Sequence, residues 1–281
     1  MASLILVSDM DGTLLDDSSR IPPENIAAIR ELIAAGGGFT IATGRPVRSI
    51  VDHPALRGLI TLPVIACNGA CLYDTQKQTY LFARRLPDDV QALAARLLAQ
   101  YPDFGVLAFS QADSCTYTLR RTDLTDEVVL RRETVGLHEC APEGAPTPWS
   151  KLVLSCPDTA HISRCAELLA AERPDVSITL TEGCYIEILP GGTSKGTALE
   201  ELSRRCDIPL TRFVAIGDST NDLQMLRCAG RSAAVGNAAE AVKAEVDAVF
   251  ASNNDAGVAD CIRSLLPVSY THLTLPTNRE V

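Results

Sequence analysis

Near its N-terminus the chain reads Leu4-Ile5-Leu6-Val7-Ser8-Asp9-Met10-Asp11-Gly12-Thr13-Leu14-Leu15-Asp16. The four apolar residues at its start predict a strand that is buried on both faces, as is typical of the centre of a parallel sheet. Two carboxylates, Asp9 and Asp11, follow this strand directly. Ligands of open α/β sheets bind outside the carboxyl ends of the strands. The stretch therefore predicts a central strand that delivers two acidic groups to a binding site.

Two other interpretations of the same residues are a polar turn without function and a calcium-binding loop. Gly12 favours a sharp turn, because glycine adopts left-handed backbone angles without a steric penalty. In a calcium loop of the EF-hand type with Gly12 at the sixth position, the first and last ligands would be Val7 and Ser18. Neither residue carries a carboxylate, which excludes that loop. The polar turn stays open unless further residues join the two acids.

A second acidic turn lies near the other end of the chain. The apolar run Phe213-Val214-Ala215-Ile216 predicts another buried strand, and Gly217-Asp218-Ser219-Thr220-Asn221-Asp222 follows it. If both strands lie in one parallel sheet, the acids of the two turns converge at its edge, namely Asp9, Asp11, Asp218 and Asp222. Clustered carboxylates repel one another unless a cation joins them, and Mg²⁺ prefers such oxygen ligands. We therefore predict a magnesium site, whereas the second turn by itself is equally compatible with a helix cap.

Two further positions suit a bound phosphate. Thr43 follows the predicted strand Phe39-Thr40-Ile41-Ala42 and offers a hydroxyl, with a cap of the helix that begins near Pro46 as the alternative. Lys195 stands at the start of a predicted helix, where a cation opposes the helix dipole unless it faces an anion. A solvated lysine is the alternative there. Neither Thr43 nor Lys195 indicates a phosphate site by itself, and each does so only in combination with the two acidic turns.

Composition and charge restrict the class of partner. The chain has 281 residues, 46% of them hydrophobic and 21% charged, which is long enough for two domains. Its formal net charge of −10 argues against nucleic acid or an anionic membrane as partner, because phosphate-rich surfaces need clustered cations. A small phosphorylated substrate needs only a few local cations and is compatible with this charge.

The cysteines and histidines suggest no metal site of their own. No Cys-x-x-Cys pair occurs among the ten cysteines, and the closest pair, Cys67 and Cys71, has no histidine nearby, so a zinc site is not predicted. His53, His138 and His161 belong to no recognisable constellation. We find no signal peptide and no apolar run of about 18 residues. We therefore expect reduced thiols in a cytoplasmic protein.

The order of predicted elements divides the chain into an α/β part and an inserted part. Strands and helices alternate over residues 1–83 and again over 186–267, which predicts a doubly wound, Rossmann-like parallel-sheet core domain built from both ends of the chain. Residues 84–185 mix helices with strand pairs and predict an inserted α+β cap domain. Residues 268–281 lack periodicity and resemble translated sequencing read-through, so we expect a non-native, disordered tail.

Taken in order, these motifs resemble those of the haloacid dehalogenase (HAD) superfamily, most of whose members are magnesium-dependent phosphatases. The matching positions are Asp9–Thr13, Thr43, Lys195 and Gly217–Asp222, which together span the chain except its tail. The large insert between the second and third motifs resembles the Cof-type (type IIB) branch. Asn68-Gly69-Ala70 and Gly192-Thr193-Ser194-Lys195-Gly196 resemble that branch as well.

The resemblance implies catalytic roles for four residues. Asp9 is the nucleophile that forms an aspartyl-phosphate. Asp11 is the acid that protonates the leaving alcohol and then activates water. Thr43 and Lys195 hold the transferring phosphoryl group.

The resemblance also implies a cofactor and a substrate class. Mg²⁺ is bound by the Asp9 carboxylate, the Asp11 backbone carbonyl and Asp218, with Asp222 as a further ligand or as support behind the ligands. The implied substrate-binding positions are Thr43, Gly44, Arg45, Asn68, Gly69, Lys195 and Asn221. For Arg45, a salt bridge at the helix start is an equal alternative. We expect a small phosphorylated metabolite, with sugar phosphates first and flavin mononucleotide or pyridoxal phosphate next, and a monomer or homodimer.

Three other functions are alternatives to this one. Gly192–Gly196 matches the Gly-x-Ser-x-Gly pattern of serine hydrolases, with Ser194 as nucleophile. The only later histidine is His272, in the tail, and Pro190-Gly191 interrupts the required strand-to-turn transition. A nucleotide-binding module has little support, because neither Gly-x-x-x-x-Gly-Lys nor Gly-x-Gly-x-x-Gly occurs. A non-catalytic phosphate-binding protein on the same fold stays open, although the retention of both Asp9 and Asp11 counts against it.

Overall fold

A computed structural model of the chain describes residues 4–131, 137–181 and 183–266, with the side chains of residues 129–131 and 137 left undescribed. The tail predicted for residues 268–281 lies outside this part of the chain. Within the described residues, no helix is both long and apolar enough to cross a lipid bilayer.

The described strands are numbered in chain order: β1 (Ile5–Ser8), β2 (Gly38–Ile41), β3 (Val64–Ala66), β4 (Cys71–Asp74), β5 (Thr79–Ala83), β6 (Gly105–Ser110), β7 (Thr116–Arg120), β8 (Leu137–Glu139), β9 (Trp149–Ser155), β10 (Val176–Thr181), β11 (Tyr185–Pro190), β12 (Phe213–Gly217), β13 (Arg231–Ala234) and β14 (Ala248–Val249). The described α-helices are α1 (Pro23–Ala34), α2 (Val47–Val51), α3 (Val90–Gln100), α4 (Asp123–Arg131), α5 (Thr159–Glu172), α6 (Lys195–Cys206), α7 (Leu223–Cys228), α8 (Glu240–Lys243) and α9 (Gly257–Leu265).

The core sheet has the order β14-β13-β12-β1-β2, and all of its strand pairs are parallel. β1 lies inside the sheet between β12 and β2, where Ile5 pairs with Phe213 of β12 and with Gly38 of β2. Helix α1 packs against α9, and α6 packs against α7. The predicted doubly wound sheet is confirmed, and the first strand is an interior strand with a parallel neighbour on each side, although β12 occupies the middle of the order.

β3 departs from the simplest form of that prediction. It touches the core sheet through one parallel bridge between Ala42 and Ile65, but it belongs to a three-stranded antiparallel sheet of order β3-β4-β5. The hairpin formed by β4 and β5 turns the chain back before it enters the inserted part. As a consequence, the turn that follows β3 lies beside the carboxyl end of β2.

The inserted part forms a six-stranded sheet of order β10-β11-β9-β6-β7-β8, antiparallel except for the pair β7–β8. One apolar cluster joins this sheet to α3 and α5, and includes Trp149, Leu93 and Leu169. The α+β cap predicted from sequence is therefore present. β8 was not predicted, because Leu137-His138-Glu139 is too short and polar to give a strand pattern.

The bounds of the two domains stay a proposal. β11 continues the cap sheet as far as Pro190, so the predicted boundary between residues 185 and 186 crosses a strand. We therefore propose to place that boundary after Pro190, at the turn that precedes α6. The boundary after Ala83 coincides with the end of β5.

Candidate active site

The two acidic turns meet at the carboxyl ends of β1 and β12. The backbone N–H of Asp9 donates to the carbonyl oxygen of Ile216 at 2.9 Å, which carries the parallel ladder into the first turn. Gly12 has a φ of +77°, and a Cβ at this position would lie 2.8 Å from Oδ2 of Asp218. Only glycine therefore allows the first turn to pass so close to the second. The Oγ1 of Thr13 donates to Oδ1 of Asp218 at 2.8 Å and fixes that side chain.

Asp9, Asp218 and Asp222 form a compact carboxylate cluster, with one oxygen of each within 4.8 Å of the others. Burial raises the pKa of Asp9 well above its usual range, and Asp222 and Asp218 raise it further, whereas Lys195 opposes the rise. Burial and the adjacent Asp222 also raise the pKa of Asp218. The cluster therefore needs positive charge nearby to stay ionised.

Lys195 supplies part of that charge. Its Nζ donates to Oδ1 of Asp9 at 2.5 Å and to Oδ1 of Asp222 at 2.6 Å. The residue is 1% exposed, so the alternative of a solvated lysine is wrong. Burial works against its charge, but the carboxylates of Asp222 and Asp9 outweigh burial and raise the pKa of Lys195. The lysine is therefore a fixed cation at the centre of the cluster.

Asp222 differs from the other two acids because both of its oxygens are already engaged. Oδ1 accepts from Lys195, and Oδ2 accepts from the backbone N–H groups of Asp218 and Ser219 at 3.1 Å each. The side chain is fully buried. Of the two roles that the sequence left open for Asp222, this geometry favours support of the loop and of Lys195 over direct contact with a metal.

The Asp11 carboxylate turns away from the cluster towards Arg45. Nε of Arg45 donates to Oδ2 at 3.0 Å and Nη2 donates to Oδ1 at 2.7 Å, which is a bidentate pair. The Asp11 side chain is 42% exposed, whereas that of Arg45 is 1% exposed. The salt bridge considered for Arg45 is therefore present, and its partner is Asp11. Asp11 also lines the cavity described below, together with Asp9.

Thr43 is fully buried at the end of β2. Its Oγ1 accepts the backbone N–H of Arg45 at 3.2 Å, and its own N–H donates to the carbonyl oxygen of Ile65. Helix α2 begins after Pro46 and has no side-chain cap. The alternative interpretation of Thr43 as a helix cap is therefore wrong.

The turn Cys67–Gly69 lies between the core turns and the start of α6. Gly69 has a φ of +97°, and a Cβ there would overlap the carbonyl oxygen of Ser194. Nδ2 of Asn221 donates a hydrogen bond to the side-chain Oδ1 of Asn68 at 3.4 Å. This contact joins the Asn68-Gly69-Ala70 motif to the second acidic turn, which the sequence alone does not reveal.

Two cap residues reach these core loops and were missed by sequence reasoning. The Nζ of Lys151, on β9, donates to Oε1 of Glu187 at 2.8 Å and to the carbonyl oxygen of Gly44 at 3.1 Å. Glu187, on β11, accepts at Oε2 from the Asn68 amide. Lys151 is 0% exposed and Glu187 is 4% exposed. A buried ion pair of the cap thus holds both Gly44 and Asn68 of the core.

A cavity of about 250 Å³ lies where these parts meet. The core supplies the two acidic turns and the neighbouring loops, and the cap supplies one edge. The lining residues are Asp9, Asp11, Gly44, Asn68, Leu180, Thr181, Glu187, Asp218, Ser219, Thr220 and Asn221. Oδ1 of Asn221 is buried and has no hydrogen-bond partner among the described residues, so a ligand group that donates a hydrogen bond would satisfy it.

The donor set fits Mg²⁺. Asp9 and Asp218 present hard carboxylate oxygens, which this ion prefers, and the ion commonly takes only one or two carboxylates and keeps sites for water and phosphate. The absence of a Cβ at Gly12 leaves space beside Oδ2 of Asp218. Asp9 and Asp218 are therefore the residues that would hold such an ion.

Ser194 has a structural task that accounts for its Gly-x-Ser-x-Gly context. Its Oγ accepts the backbone N–H of Thr197 at 3.0 Å and caps α6. The histidine that a serine hydrolase would need, His272, lies outside the described residues. The serine hydrolase has no further support from the described residues.

Comparison with known proteins agrees with these motifs. The family described as haloacid dehalogenase-like hydrolase matches residues 6–262. The 5-amino-6-(5-phospho-D-ribitylamino)uracil phosphatase YwtE of Bacillus subtilis is 31% identical over 286 residues, covering 93% of this chain and 98% of that protein. The pyridoxal phosphate phosphatase YbhA of Escherichia coli is 28% identical over 283 residues, covering 95% of this chain and 100% of that protein.

A solved structure shows the same fold. The HAD subclass IIB sugar phosphatase BT4131 superposes with a TM-score of 0.80 at 23% identity, and the match covers 93% of this chain and 98% of that one. A structural match at 23% identity shows that the fold is shared, whereas membership of the family rests on the match to the family model. The chain therefore belongs to the haloacid dehalogenase-like hydrolases.

Proposed function

We propose that this chain is a Mg²⁺-dependent phosphomonoester hydrolase of small phosphorylated metabolites, with sugar phosphates first, and that it works through an aspartyl-phosphate on Asp9. The observation that carries the proposal is the buried lysine between two acids. Lys195 holds Oδ1 of Asp9 at 2.5 Å, at the wall of a cavity that Asp218 also lines. A carboxylate oriented by a fixed cation is suited to attack an electrophile that carries negative charge.

The first chemical step is an in-line attack by Asp9 on phosphorus. The oxygen that Lys195 does not hold forms the new P–O bond, and the bond from phosphorus to the ester oxygen breaks. Asp11 gives its proton to the departing oxygen, so that an alcohol leaves. Thr43 and Lys195 bind the oxygens of the transferring group. In this account Lys195 cancels charge that would otherwise repel the phosphate.

The second step hydrolyses the aspartyl-phosphate. A water molecule attacks phosphorus, its proton passes to Asp11, and the bond between phosphorus and the Asp9 oxygen breaks. Inorganic phosphate leaves and Asp9 is restored. When bound at Asp9 and Asp218, Mg²⁺ supplies positive charge to the phosphoryl oxygens and to the cluster. In the structure both oxygens of Asp11 accept from Arg45, so Asp11 would release at least one of them from this contact to carry the proton.

The cavity supports a small, hydroxylated leaving group. Its volume of about 250 Å³ is below that of most drug-sized ligand sites, which span about 300–1,000 Å³. Nδ2 of Asn221 is directed to Asn68, so its buried Oδ1 is left as an acceptor. A substrate hydroxyl would donate to that oxygen, and Thr181 of the cap lines the same space. These features support a sugar phosphate over an apolar ester.

The test is release of inorganic phosphate from a panel of phosphomonoesters. The panel contains hexose phosphates, pyridoxal phosphate and a ribityl phosphate, each with Mg²⁺ or with EDTA. We expect turnover with Mg²⁺, loss of turnover with EDTA, and loss of turnover in Asp9→Asn. Asp88→Asn is the matched control, because the Asp88 side chain is 89% exposed and lies on the cap surface.

Three results would contradict the proposal. Turnover that survives EDTA would remove the metal dependence, and turnover that survives in Asp9→Asn would remove the nucleophile. If no compound is hydrolysed but Mg²⁺ and a phosphate mimic bind tightly together, the alternative of a non-catalytic phosphate-binding protein replaces the enzyme.

A further inference from the structure

A second group of metal-ligating side chains lies in the cap, apart from the carboxylate cluster. Asp103, Cys156 and His161 each offer one ligand atom, and these atoms all lie within 4.8 Å of one another. Asp103 is on the loop between α3 and β6, Cys156 directly follows β9, and His161 is in the first turn of α5. Cys156 lies five residues beyond Lys151 along an extended strand, a separation of about 16 Å at about 3.3 Å per residue. The group is therefore remote from the proposed active site.

Two of the three separations within this group match those of a tetrahedral metal centre. Oδ2 of Asp103 is 3.5 Å from Sγ of Cys156 and 3.4 Å from Nδ1 of His161. With bonds of about 2.3 Å to sulfur, 2.0–2.1 Å to nitrogen and 2.0–2.2 Å to oxygen, tetrahedral zinc places its ligand atoms about 3.3–3.6 Å apart. The two separations from Oδ2 already fall in this range. The third separation, between Cys156 and His161, is at most 4.8 Å, so these two ligand atoms would move closer together when an ion binds.

The surroundings orient the ligands and leave one side open. The ring of His161 packs edge-on against Phe104 at 5.0 Å and against Tyr101 at 5.5 Å between ring centres. Cys156 is fully buried. The side chains of His161 and Asp103 are 40% and 51% exposed. A fourth ligand from solvent can therefore approach from the outer side.

We propose that Asp103, Cys156 and His161 form a binding site for a divalent transition metal of the Zn²⁺ type on the cap, with water as the fourth ligand. A thiolate, an imidazole and one carboxylate favour Zn²⁺ over Mg²⁺, which prefers oxygen ligands alone. The bound ion joins three separate elements of the cap: the loop after α3, the end of β9 and the start of α5. The site differs from the active site in metal preference as well as in position.

The simpler interpretation is an ion pair between His161 and Asp103 with a weak thiol hydrogen bond beside it. Both interpretations fit the distances, but they differ in their spectra. Co²⁺ is a probe for zinc sites because a Co²⁺–thiolate bond gives a near-ultraviolet charge-transfer band, and tetrahedral coordination gives intense visible bands. The ion pair by itself gives neither.

The experiment titrates Co²⁺ into the chelator-treated full chain under reducing conditions and in excess Mg²⁺, which keeps the carboxylate cluster occupied. We expect both bands to saturate at a single equivalent and to disappear when Zn²⁺ is added. Cys156→Ser should abolish the charge-transfer band. His161→Gln removes the imidazole and should weaken Co²⁺ binding at least tenfold. Cys206→Ser, a cysteine outside the group, is the matched control and should behave as the wild type.

Two outcomes would overturn the proposal. One is a wild-type titration without a thiolate band. The other is a band that persists unchanged in Cys156→Ser, which would assign it to another cysteine. A Zn²⁺-induced rise in Tm that His161→Gln removes would support the site independently, because a ligand that binds only the folded state stabilises it. These readouts do not depend on phosphatase activity.

Discussion

The ion pair between Lys151 and Glu187 gives the sharpest test of how the cap is held on the core. Both side chains are buried, and Nζ of Lys151 also binds the carbonyl oxygen of Gly44 and lies 4.8 Å from the ring centre of Phe109. Lys151→Met keeps the volume of the side chain but leaves the carboxylate of Glu187 without its cation. Removal of one partner from a buried pair costs about 3–5 kcal/mol of unfolding free energy.

The double substitution separates the pair from simple packing. Lys151→Met with Glu187→Met removes both charges, and replacement of a buried pair by apolar groups is often close to neutral. The Asn68 amide still loses its acceptor, which costs about 1–3 kcal/mol. We therefore expect the double variant to be more stable than Lys151→Met, with a coupling energy of about 2 kcal/mol or more between the two sites.

Trp149 provides the assay, because it is the only tryptophan and is fully buried two residues before Lys151 on β9. Its fluorescence during urea unfolding reports the cap, and circular dichroism reports the whole chain. Lys77→Met is the matched control, since Lys77 is 75% exposed beside Asp74 and such surface pairs contribute about 0–1 kcal/mol. Additive effects of the two single substitutions, or a loss below about 1 kcal/mol in Lys151→Met, would refute the reasoning.

Three further predictions concern the carboxylate cluster and helix α6. Mg²⁺ should raise Tm, and Asp218→Asn should abolish most of that rise; an unchanged response in thermal unfolding would remove Asp218 from the metal site. Gly12→Ala should weaken Mg²⁺ binding by calorimetry, because its Cβ would meet Asp218, whereas Gly58→Ala, at a similar φ of +75° with nothing within 4 Å, should leave binding unchanged. Hydrogen bonds from Arg204 and Arg205 lower the pKa of Glu201 to about 2 from the ordinary 4.5. Its stabilising contribution is complete above about pH 4.5 and is lost as the pH falls towards 2. Between pH 4.5 and pH 2 the free energy of unfolding of Glu201→Gln should therefore fall by about 1 kcal/mol less than that of the wild type, a value that allows for solvent screening. An identical dependence on pH in the two proteins would contradict this.

The sequence predicted the acidic cluster because the signal is local. The apolar run before Asp9 and the run before Asp218 each specify a buried parallel strand, and the rule for strand ends then brings the two acids together. Lys195 was also placed correctly at a helix start. Its burial between Asp9 and Asp222 was not predictable in detail, because it depends on how α6 packs beside the core sheet.

The contribution of the cap to the candidate active site could not be predicted from such local sequence signals. Lys151 lies within an ordinary strand pattern, where an isolated lysine normally indicates an edge or a solvated face. Glu187 alternates with Ile186 and Ile188 as an outward residue of a half-buried strand would. The two charges pair with each other within the cap sheet, and docking of that sheet against Gly44 and Asn68 supplies their remaining partners. The group of Asp103, Cys156 and His161 could not be predicted for the same reason, because its members lie on three separate elements that only the fold brings together.

The central claim is that Asp9 becomes phosphorylated during turnover. The most direct measurement is to quench the enzyme during steady-state hydrolysis of its best substrate, treat it with borohydride, and map the modified residue by peptide mass spectrometry. Borohydride reduces an acyl phosphate, so the account predicts homoserine at position 9 in the wild type and none in Asp9→Asn. Turnover without modification at position 9, or a phosphorylated residue elsewhere such as Ser194, would contradict it.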